Sequence, residues 1–284
     1  MNKKNFILLI LIIFISSCGL IPARGIIKEE NTFSTQSLND SSIKVLVWNI
    51  HKEGNSRDWV EDYDKIYEDK KPDIIVLQEA RLNTGLKHAL HRTSKEMGWV
   101  FSPNIEERNH DTYSGVLTAS KAKPYEQYSI TTEGLEPVVK TPKTTLITTY
   151  KLSPSNKLLL VVNIHGINMA NLEKFKAQLF KIVNEISGHS GPIIFAGDFN
   201  TRNKDRLSFL LRELKDKSDL KTVPFTKEDE KEIKRFLFSP IPLDHVFYSS
   251  KELELKKDSP DVLETIKSSD HKPLFVEFKV RDGN

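Results

Sequence analysis

The sequence predicts an α/β protein built on one or two mixed β-sheets with helices packed outside them. Three observations carry this expectation. Short β-branched or apolar runs recur from Ile43 to Val280, as buried strands do. Between several of them lie segments with helical spacing, while others are joined by tight turns, which mixes parallel and antiparallel connections. The chain has 284 residues, 38% of them hydrophobic and 29% charged, an ordinary folded composition with enough length for one large domain.

The elements follow in order. Ile43 to Trp48 is a strand, and Trp59, Val60, Tyr63, Ile66 and Tyr67 place a helix over Trp59 to Asp69. Pro72-Asp73 punctuates before the strand Ile74 to Leu77, and a second helix is expected over Thr84 to Met97. Gly115 to Ala119, Thr144 to Tyr150 and Leu158 to Ile164 read as strands, the last two joined by a hairpin at Ser153 to Asn156. Asn171 to Ile186 is the clearest helix, with Leu172, Phe175, Leu179, Phe180 and Val183 on its apolar face and Gly188 stopping it. The Ile193 strand, a helix over Asp205 to Leu214, and strands at Leu243 to Tyr248, Val262 to Ile266 and Leu274 to Val280 complete the fold. There is no internal repeat after Ser42 and no linker that divides residues 43–280.

The first residues have a different character. Asn2-Lys3-Lys4 precedes an unbroken apolar run, Phe6 to Ile15, too short for a comfortable membrane span. Ile15-Ser16-Ser17-Cys18-Gly19 follows and contains the only cysteine. This layout resembles a bacterial lipoprotein signal, which implies removal of residues 1–17 and a lipid on Cys18. The alternative is a plain secretory signal with an incidental cysteine. No cysteine is left for a disulfide. Residues 18–42 are polar and mixed, the composition of a flexible tether. The expected location is the bacterial cell envelope, lipid-anchored on the periplasmic side or the surface. Lys and Arg total 42 against 39 Asp and Glu, so bulk charge gives no argument for nucleic acid.

The chemistry concentrates at strand ends, where loops carry functional groups on a rigid support. Gly197-Asp198-Phe199-Asn200-Thr201 follows the apolar run Pro192 to Ala196. A carboxylate and a carboxamide at i and i+2 share one side of the backbone and could align a water beside a phosphoryl group. The same two residues also suit an Asx turn bonded to its own backbone. Asn49, Glu79, His165 and Asp244 likewise stand at strand ends, and Asp270-His271 precedes the last strand.

Trp-Asn-Ile at 48–50, Leu-Gln-Glu at 77–79, Asn-Ile-His at 163–165, Gly-Asp-Phe-Asn at 197–200, Leu-Asp-His at 243–245 and Ser-Asp-His at 269–271 resemble the endonuclease/exonuclease/phosphatase superfamily. The resemblance covers about Ile43 to Val280 and is specific as a set. Val161 to Gly166 and Ser190 to Asn200 look closer still to a small, functionally uncharacterised branch in enteric bacteria. The resemblance implies a four-layer α/β/β/α sandwich and divalent-metal-dependent hydrolysis of phosphodiester or phosphomonoester bonds. Mg²⁺ is the implied cofactor, with Mn²⁺ an alternative, held by Glu79 with Asn49, and by Asp270 through water. Asp198 would position the attacking water, and His165, Asn200 and His271 would hold the phosphate, with Asp244 orienting His271. His165 matches the deoxyribonuclease-like and sphingomyelinase-like branches and departs from the abasic-site endonucleases, which resemble a Tyr-containing version there.

The substrate stays open between nucleic acid and a phospholipid, sphingomyelin or inositol-phosphate head group. No aromatic-rich hairpin stands out as a membrane-dipping device. His51 shares a strand face with Asn49 and could reach the pocket, whereas His245 reads as structural or surface. Arg202, Lys204 and Arg206 either grip a substrate phosphate or begin a solvated helix. Asn168 and the stretch Arg108-Asn109-His110 are further loop candidates. Two other readings remain: a non-catalytic binding lipoprotein on the same fold, and a zinc or dimetal centre of His165, Asp198, Asp244 and His271. The expected state is a monomer.

Overall fold

The computed structural model describes residues 20–29, 33–52, 56–108, 112–133, 135–136 and 141–281. The expected signal segment, Cys18, Asn109 and His110 lie outside the described residues. In chain order the strands are β1 (Leu20–Pro22), β2 (Ile27–Glu29), β3 (Leu38–Asn39), β4 (Ile43–Asn49), β5 (Ile74–Arg81), β6 (Gly98–Glu107), β7 (Thr112–Ser120) and β8 (Glu126–Thr131), followed by β9 (Thr144–Ser153), β10 (Leu158–His165), β11 (Ile193–Asp198), β12 (Leu220–Thr222), β13 (Asp244–Ser249), β14 (Leu253–Leu255), β15 (Asp261–Val262) and β16 (Leu274–Val280). The helices are α1 (Arg57–Lys70), α2 (Thr84–Thr93), α3 (Leu172–Ile186), α4 (Lys204–Ser218) and α5 (Lys227–Glu232).

Two mixed sheets result. One runs β1-β6-β7-β5-β4-β16-β14, with β2 on β6 and β15 on β16; the other runs β12-β13-β11-β10-β9-β3, with β8 on β9. Strand alternation sorts the side chains into layers. Val45, Val47, Ile74 and Val76 of the first sheet meet Tyr150, Leu159, Val161, Ile194 and Ala196 of the second in the central core. On the outer face of the first sheet, Leu46, Trp48, Ile75 and Leu77 pack on Trp59, Tyr63 and Ile66 of α1 and Leu86 and Leu90 of α2. On the other side, Leu160, Val162, Ile193 and Phe195 pack on Leu179, Ile182 and Val183 of α3 and Leu210 and Leu214 of α4. The strands read as continuous apolar runs because both faces are covered. The expected four-layer α/β/β/α sandwich is therefore present.

Local chemistry sets the helix ends. Ser56 caps α1 by accepting from the Trp59 N–H, and Asn171 and Asn203 cap α3 and α4 by accepting from Lys174 and Arg206 N–H. Trp48, Trp59 and Tyr63 stack in series, with ring centroids 5.8 and 4.9 Å apart.

Several expectations are corrected. Residues 20–29 and 38–39 are not a free tether: β1 and β2 pair along the outer edge of β6, and β3 pairs with β9. Their polar composition hides a backbone role, because unpaired N–H and C=O groups on β6 need partners. The second helix ends at Thr93 rather than Met97, where Ser94 bonds back to the Leu90 carbonyl. The chain then enters β6, a strand masked by Pro103, which a register shift between Pro103 and Ile105 accommodates. Edge strand β8 carries no alternation to read, since all but its exposed first residue are half-buried. Phe180 leaves the buried face of α3 and packs edge-on against Phe209 at 5.1 Å. The Val262 strand stops after two residue pairs, Asp261 with Phe275 and Val262 with Leu274, and a turn closed by the Ile266 N–H and the Leu263 carbonyl follows.

Between the sheets, near the C-terminal ends of β5 and β10, lies a polar lock. Gln78 Nε2 donates to Asn163 Oδ1 at 2.9 Å, and Asn163 Nδ2 donates to the Leu77 and Leu117 carbonyls at 3.1 and 2.9 Å. Both residues are fully buried. Asn163→Ala strands these groups, at about 1–3 kcal/mol for each buried group left unpaired. Urea unfolding should show a loss of about 2–5 kcal/mol; a loss too small to resolve contradicts the lock.

Candidate functional site

Parallel pairing of β4 with β5 and of β10 with β11 brings their C-terminal ends to one end of the sandwich. Asn49, Glu79, His165 and Asp198 all sit there. Antiparallel β13 and β16 begin at the same end, which adds Asp244 and the loop bearing Asp270 and His271. A cavity of about 440 Å³ opens between them, lined by Glu79, His165, Asp198, Asn200, Asp270 and His271 together with His51 and Asn168. Asn49 and Asp244 stand behind this lining and hold parts of it. The structure thus gathers the whole expected set.

Asp198 is buried, and each of its oxygens has a partner. Oδ1 accepts from the Asn200 N–H at 2.9 Å and Oδ2 from Asn49 Nδ2 at 3.0 Å. The Asx turn and the site are therefore one structure, with the turn aiming the carboxylate. Asn200 occupies the left-handed region at φ 53° and donates from Nδ2 to the Gly166 carbonyl at 2.9 Å. Gly197 has φ 135°, and a Cβ there would stand 2.2 Å from the Ile164 carbonyl oxygen; only glycine allows β10 and β11 to meet so closely. Burial, then the charge of Asp244, raises the Asp198 carboxyl above its ordinary range.

His271 forms the second part. Its Nδ1 donates to Asp244 Oδ2 at 2.7 Å, Trp48 Nε1 donates to the His271 carbonyl at 2.9 Å, and Ser269 Oγ donates to the Asn49 carbonyl at 2.7 Å. Burial opposes charge on the ring, but Asp244, followed by Asp198 and Asp270, outweighs it and pushes the imidazolium up to about 9. Nε2–H is left as a cationic donor. Asp198, Asp244 and His271 also group closely enough to hold an ion, with ligand atoms within 4.8 Å of one another. The Nδ1–Oδ2 bond already uses the facing atoms of two of them, which argues against the zinc reading.

Glu79 has φ 50° and falls where the β5–β7 register shifts between Leu77 and Ala80. Such a bulge re-aims a side chain out of strand alternation. Burial opposes its charge, but His165, Lys143, Lys52 and His51 outweigh it and hold the carboxyl well below its ordinary range. The lysines exert this pull at neutral pH, because burial and then Lys143 lower the His165 ring to about 3.

His165 Nε2 lies 3.2 Å from Lys143 Nζ, 3.7 Å from Glu79 Oε1 and 3.9 Å from Asp198 Oδ2; ammonium only donates, so toward Lys143 this nitrogen is an acceptor. Asn49 turns its amide N–H groups toward Asp198 and Glu79, the latter at 3.5 Å, and its Oδ1 accepts from the His51 N–H. It ties the two carboxylates to the start of the loop at His51.

Other candidates separate. Asp270 accepts from Lys234 Nζ at 2.7 Å and lies 3.7 Å from His51 Nδ1. Arg206 is almost wholly buried and donates to the Ile167, Asn168, Ala170 and Asn200 carbonyls, so it ties two loops together and does not reach for phosphate. Arg202 donates to the Ala170 carbonyl and packs on Phe236, while Lys204 is exposed on the first turn of α4. His245 is buried against Thr201 and the Pro242 carbonyl, a structural role. Arg108 is exposed, beside Glu106 at 3.5 Å.

Residues with no sequence pattern complete the site. Lys143 and Glu136 line the cavity 3.7 Å apart, and Glu136 accepts from the Asn168 N–H. Lys143 stands one residue before β9 among prolines and threonines, with no periodicity to mark it. Lys234 is hidden in the charged run that includes α5. The cavity rim also carries an exposed apolar tip that no sequence pattern marks. Leu237 and Phe238 are 78% and 101% exposed, on a loop tied by Arg235 to the Glu230, Lys231, Ile233 and Pro240 carbonyls. Phe236 and Leu237 line the cavity itself.

Comparison with known proteins agrees with this geometry. The sequence profile of the Endonuclease/Exonuclease/phosphatase family matches residues 46–271. A UPF0294 protein of Klebsiella pneumoniae is 35% identical over 241 residues, 84% of this chain and 83% of that protein. A UPF0294 protein of Vibrio campbellii is 32% identical over 244 residues, 86% and 79% of the two chains. Among solved structures, the human Nocturnin catalytic domain with bound sulfate superposes with a TM-score of 0.61 at 18% identity, covering 91% of this chain and 98% of that one. D. rerio TDP2 complexed with single strand DNA product gives 0.59 at 16%, covering 84% and 100%. The chain belongs to the endonuclease/exonuclease/phosphatase family.

Proposed function

We propose that this protein is a divalent-metal-dependent phosphoesterase that hydrolyses phosphodiester or phosphomonoester bonds by direct attack of water on phosphorus. The observation that carries the reading is the pairing of Asp198, a buried carboxylate aimed by Asn49 and Asn200, with a cationic His271 across one cavity. Relatives on this fold include an ANGEL2 described as a 2',3'-cyclic phosphatase and the DNA-bound TDP2, consistent with phosphate-ester chemistry here.

The donor set fits a hard cation. Glu79 is an ionised oxygen donor on the cavity wall, 26% exposed, with His165 Nε2 3.7 Å from its Oε1 and no thiol among the lining residues. Mg²⁺ takes one or two carboxylates and completes its octahedron with water and substrate phosphate. Glu79 would hold it; Asp270 would contribute through water, against its existing bond to Lys234. Such an ion supplies charge neutralisation at the phosphate oxygens.

The chain's own residues supply the rest. Asp198 accepts a proton from the attacking water, and its raised affinity for that proton suits a base working near neutral pH. His271 Nε2–H faces the cavity as a donor to a phosphate oxygen, with Asp244 holding the ring in its charged form. Lys143 adds a second cation, aimed by His165 and Glu136, and takes the phosphate contact that His165 cannot make when neutral. The P–O bond to the leaving oxygen breaks as the water oxygen bonds to phosphorus, giving a phosphate product and an alcohol.

Three outcomes test this reading. Mg²⁺ should raise the melting temperature of the wild type but not of Glu79→Gln, and EDTA should abolish hydrolysis of bis(p-nitrophenyl) phosphate; equal stabilisation of both proteins moves the metal elsewhere. Hydrolysis should fall as pH rises through about 9, where the His271 imidazolium loses its proton. Asp244→Asn removes the main stabiliser of that charge, so this limb should move toward the ordinary imidazole value near 6.5; an unmoved limb removes His271 as its source. Lys143→Met should lower kcat/KM by about 10- to 100-fold, with partial recovery in Lys143→Arg. An unchanged Lys143→Met would leave the phosphate contact to other residues.

A further inference from the structure

We propose that the cavity-bearing end of the sandwich is the surface that meets a phospholipid bilayer, and that the phosphate handled there belongs to a lipid head group. This rests on the phosphoesterase reading and names its substrate class.

The first observation is where the chain enters the fold. β1 is antiparallel to β6, with Leu20 opposite Glu107 and Pro22 opposite Ile105. β6 runs in the same direction as β5, because each is antiparallel to the intervening β7. Leu20 and Glu107 therefore lie at the C-terminal end of β5, where Glu79 stands. Side chains confirm the placement: Arg81 Nη2 is 2.8 Å from Glu107, Lys52 Nζ is 3.6 Å from it, and the Lys52 N–H donates to the Glu79 carbonyl. β1 is three strands from β5 in the sheet, about 14 Å at the usual strand spacing.

Cys18 precedes Leu20 by two residues, and two residues reach at most about 7 Å. A lipid on that thiol would thus hold this end of the domain at the membrane with no slack. With a long tether any face could turn to the bilayer; a lipid two residues from Leu20 would favour the cavity end.

The second observation is independent of the N-terminus. On the cavity rim, the 236–238 segment presents Leu237 and Phe238 to solvent. Leu237 is held at φ 46°, a costly conformation for a branched residue. The four carbonyls gathered by Arg235 make this tip a built feature, not a fraying loop. Large apolar side chains held outward beside a phosphate-binding cavity match a bilayer interface, where their burial is favourable and a head group lies within reach.

The experiment uses the full lipidated chain in vesicles of phosphatidylethanolamine and phosphatidylcholine. A cysteine introduced by Phe238→Cys, or by Ser155→Cys in the β9–β10 turn at the opposite end, carries an environment-sensitive NBD label. The expected result is a several-fold rise in emission at 238 with none at 155. Phe238→Ser should lose about tenfold in hydrolysis of vesicle-borne phosphodiester while cleaving soluble bis(p-nitrophenyl) phosphate as the wild type does. No rise at 238, or equal hydrolysis of vesicle lipid by Phe238→Ser, overturns the assignment even if soluble diesters are cleaved. Failure of the phosphoesterase reading is distinguishable, because it silences both substrates and leaves the NBD response at 238 intact.

Discussion

The site depends on one buried contact, the hydrogen bond between Gln78 of one sheet and Asn163 of the other. Apolar packing between sheets is strong but tolerant of sliding, since burial has no direction. A buried amide pair is not tolerant, because any other register strands its donors and acceptors. Gln78 precedes Glu79, and Asn163 lies two residues before His165, so the lock fixes the relative position of the two half-sites. Gly197 packs against the same contact, with Gln78 Nε2 only 3.1 Å from where its Cβ would be. That places Asp198 in the same frame.

Above the lock, electrostatics divide the labour. Asp198 and His271 share one low-dielectric pocket, but their neighbours move them in useful directions: burial and Asp244 make Asp198 a better base, while Asp244 and the other carboxylates keep His271 charged. His165 is driven the opposite way by burial and Lys143. Two histidines on one cavity wall thus hold different protonation states, one aiming a lysine and the other donating as a cation. The strained backbones of Glu79 and Asn200 are kept by the surrounding bonds.

Much of this was legible in the sequence. The apolar runs of β4, β5, β10 and β11 announce doubly covered strands, and the polar residues ending them announce a site. Asn49, Glu79, Asp198, Asp244 and His271 could be named because each sits in a short local pattern. Lys143, Glu136 and Lys234 could not, since their positions follow from how loops fold back over the sheet ends. Roles were harder to read than membership. Whether Asn49 ligates or positions depends on which way its amide turns, and the charge of His165 depends on a lysine distant in sequence. β1 and β2 escaped detection because pairing with an exposed edge needs backbone groups and no apolar pattern.

The proposed reaction turns on a water, aimed by Asp198, that attacks phosphorus. The most direct measurement is hydrolysis of a simple phosphodiester in H₂¹⁸O with Mg²⁺, comparing wild type with Asp198→Asn. A single ¹⁸O is expected in the phosphate product and none in the alcohol, with loss of turnover in the variant. Label in the alcohol, or undiminished turnover by Asp198→Asn, would contradict it.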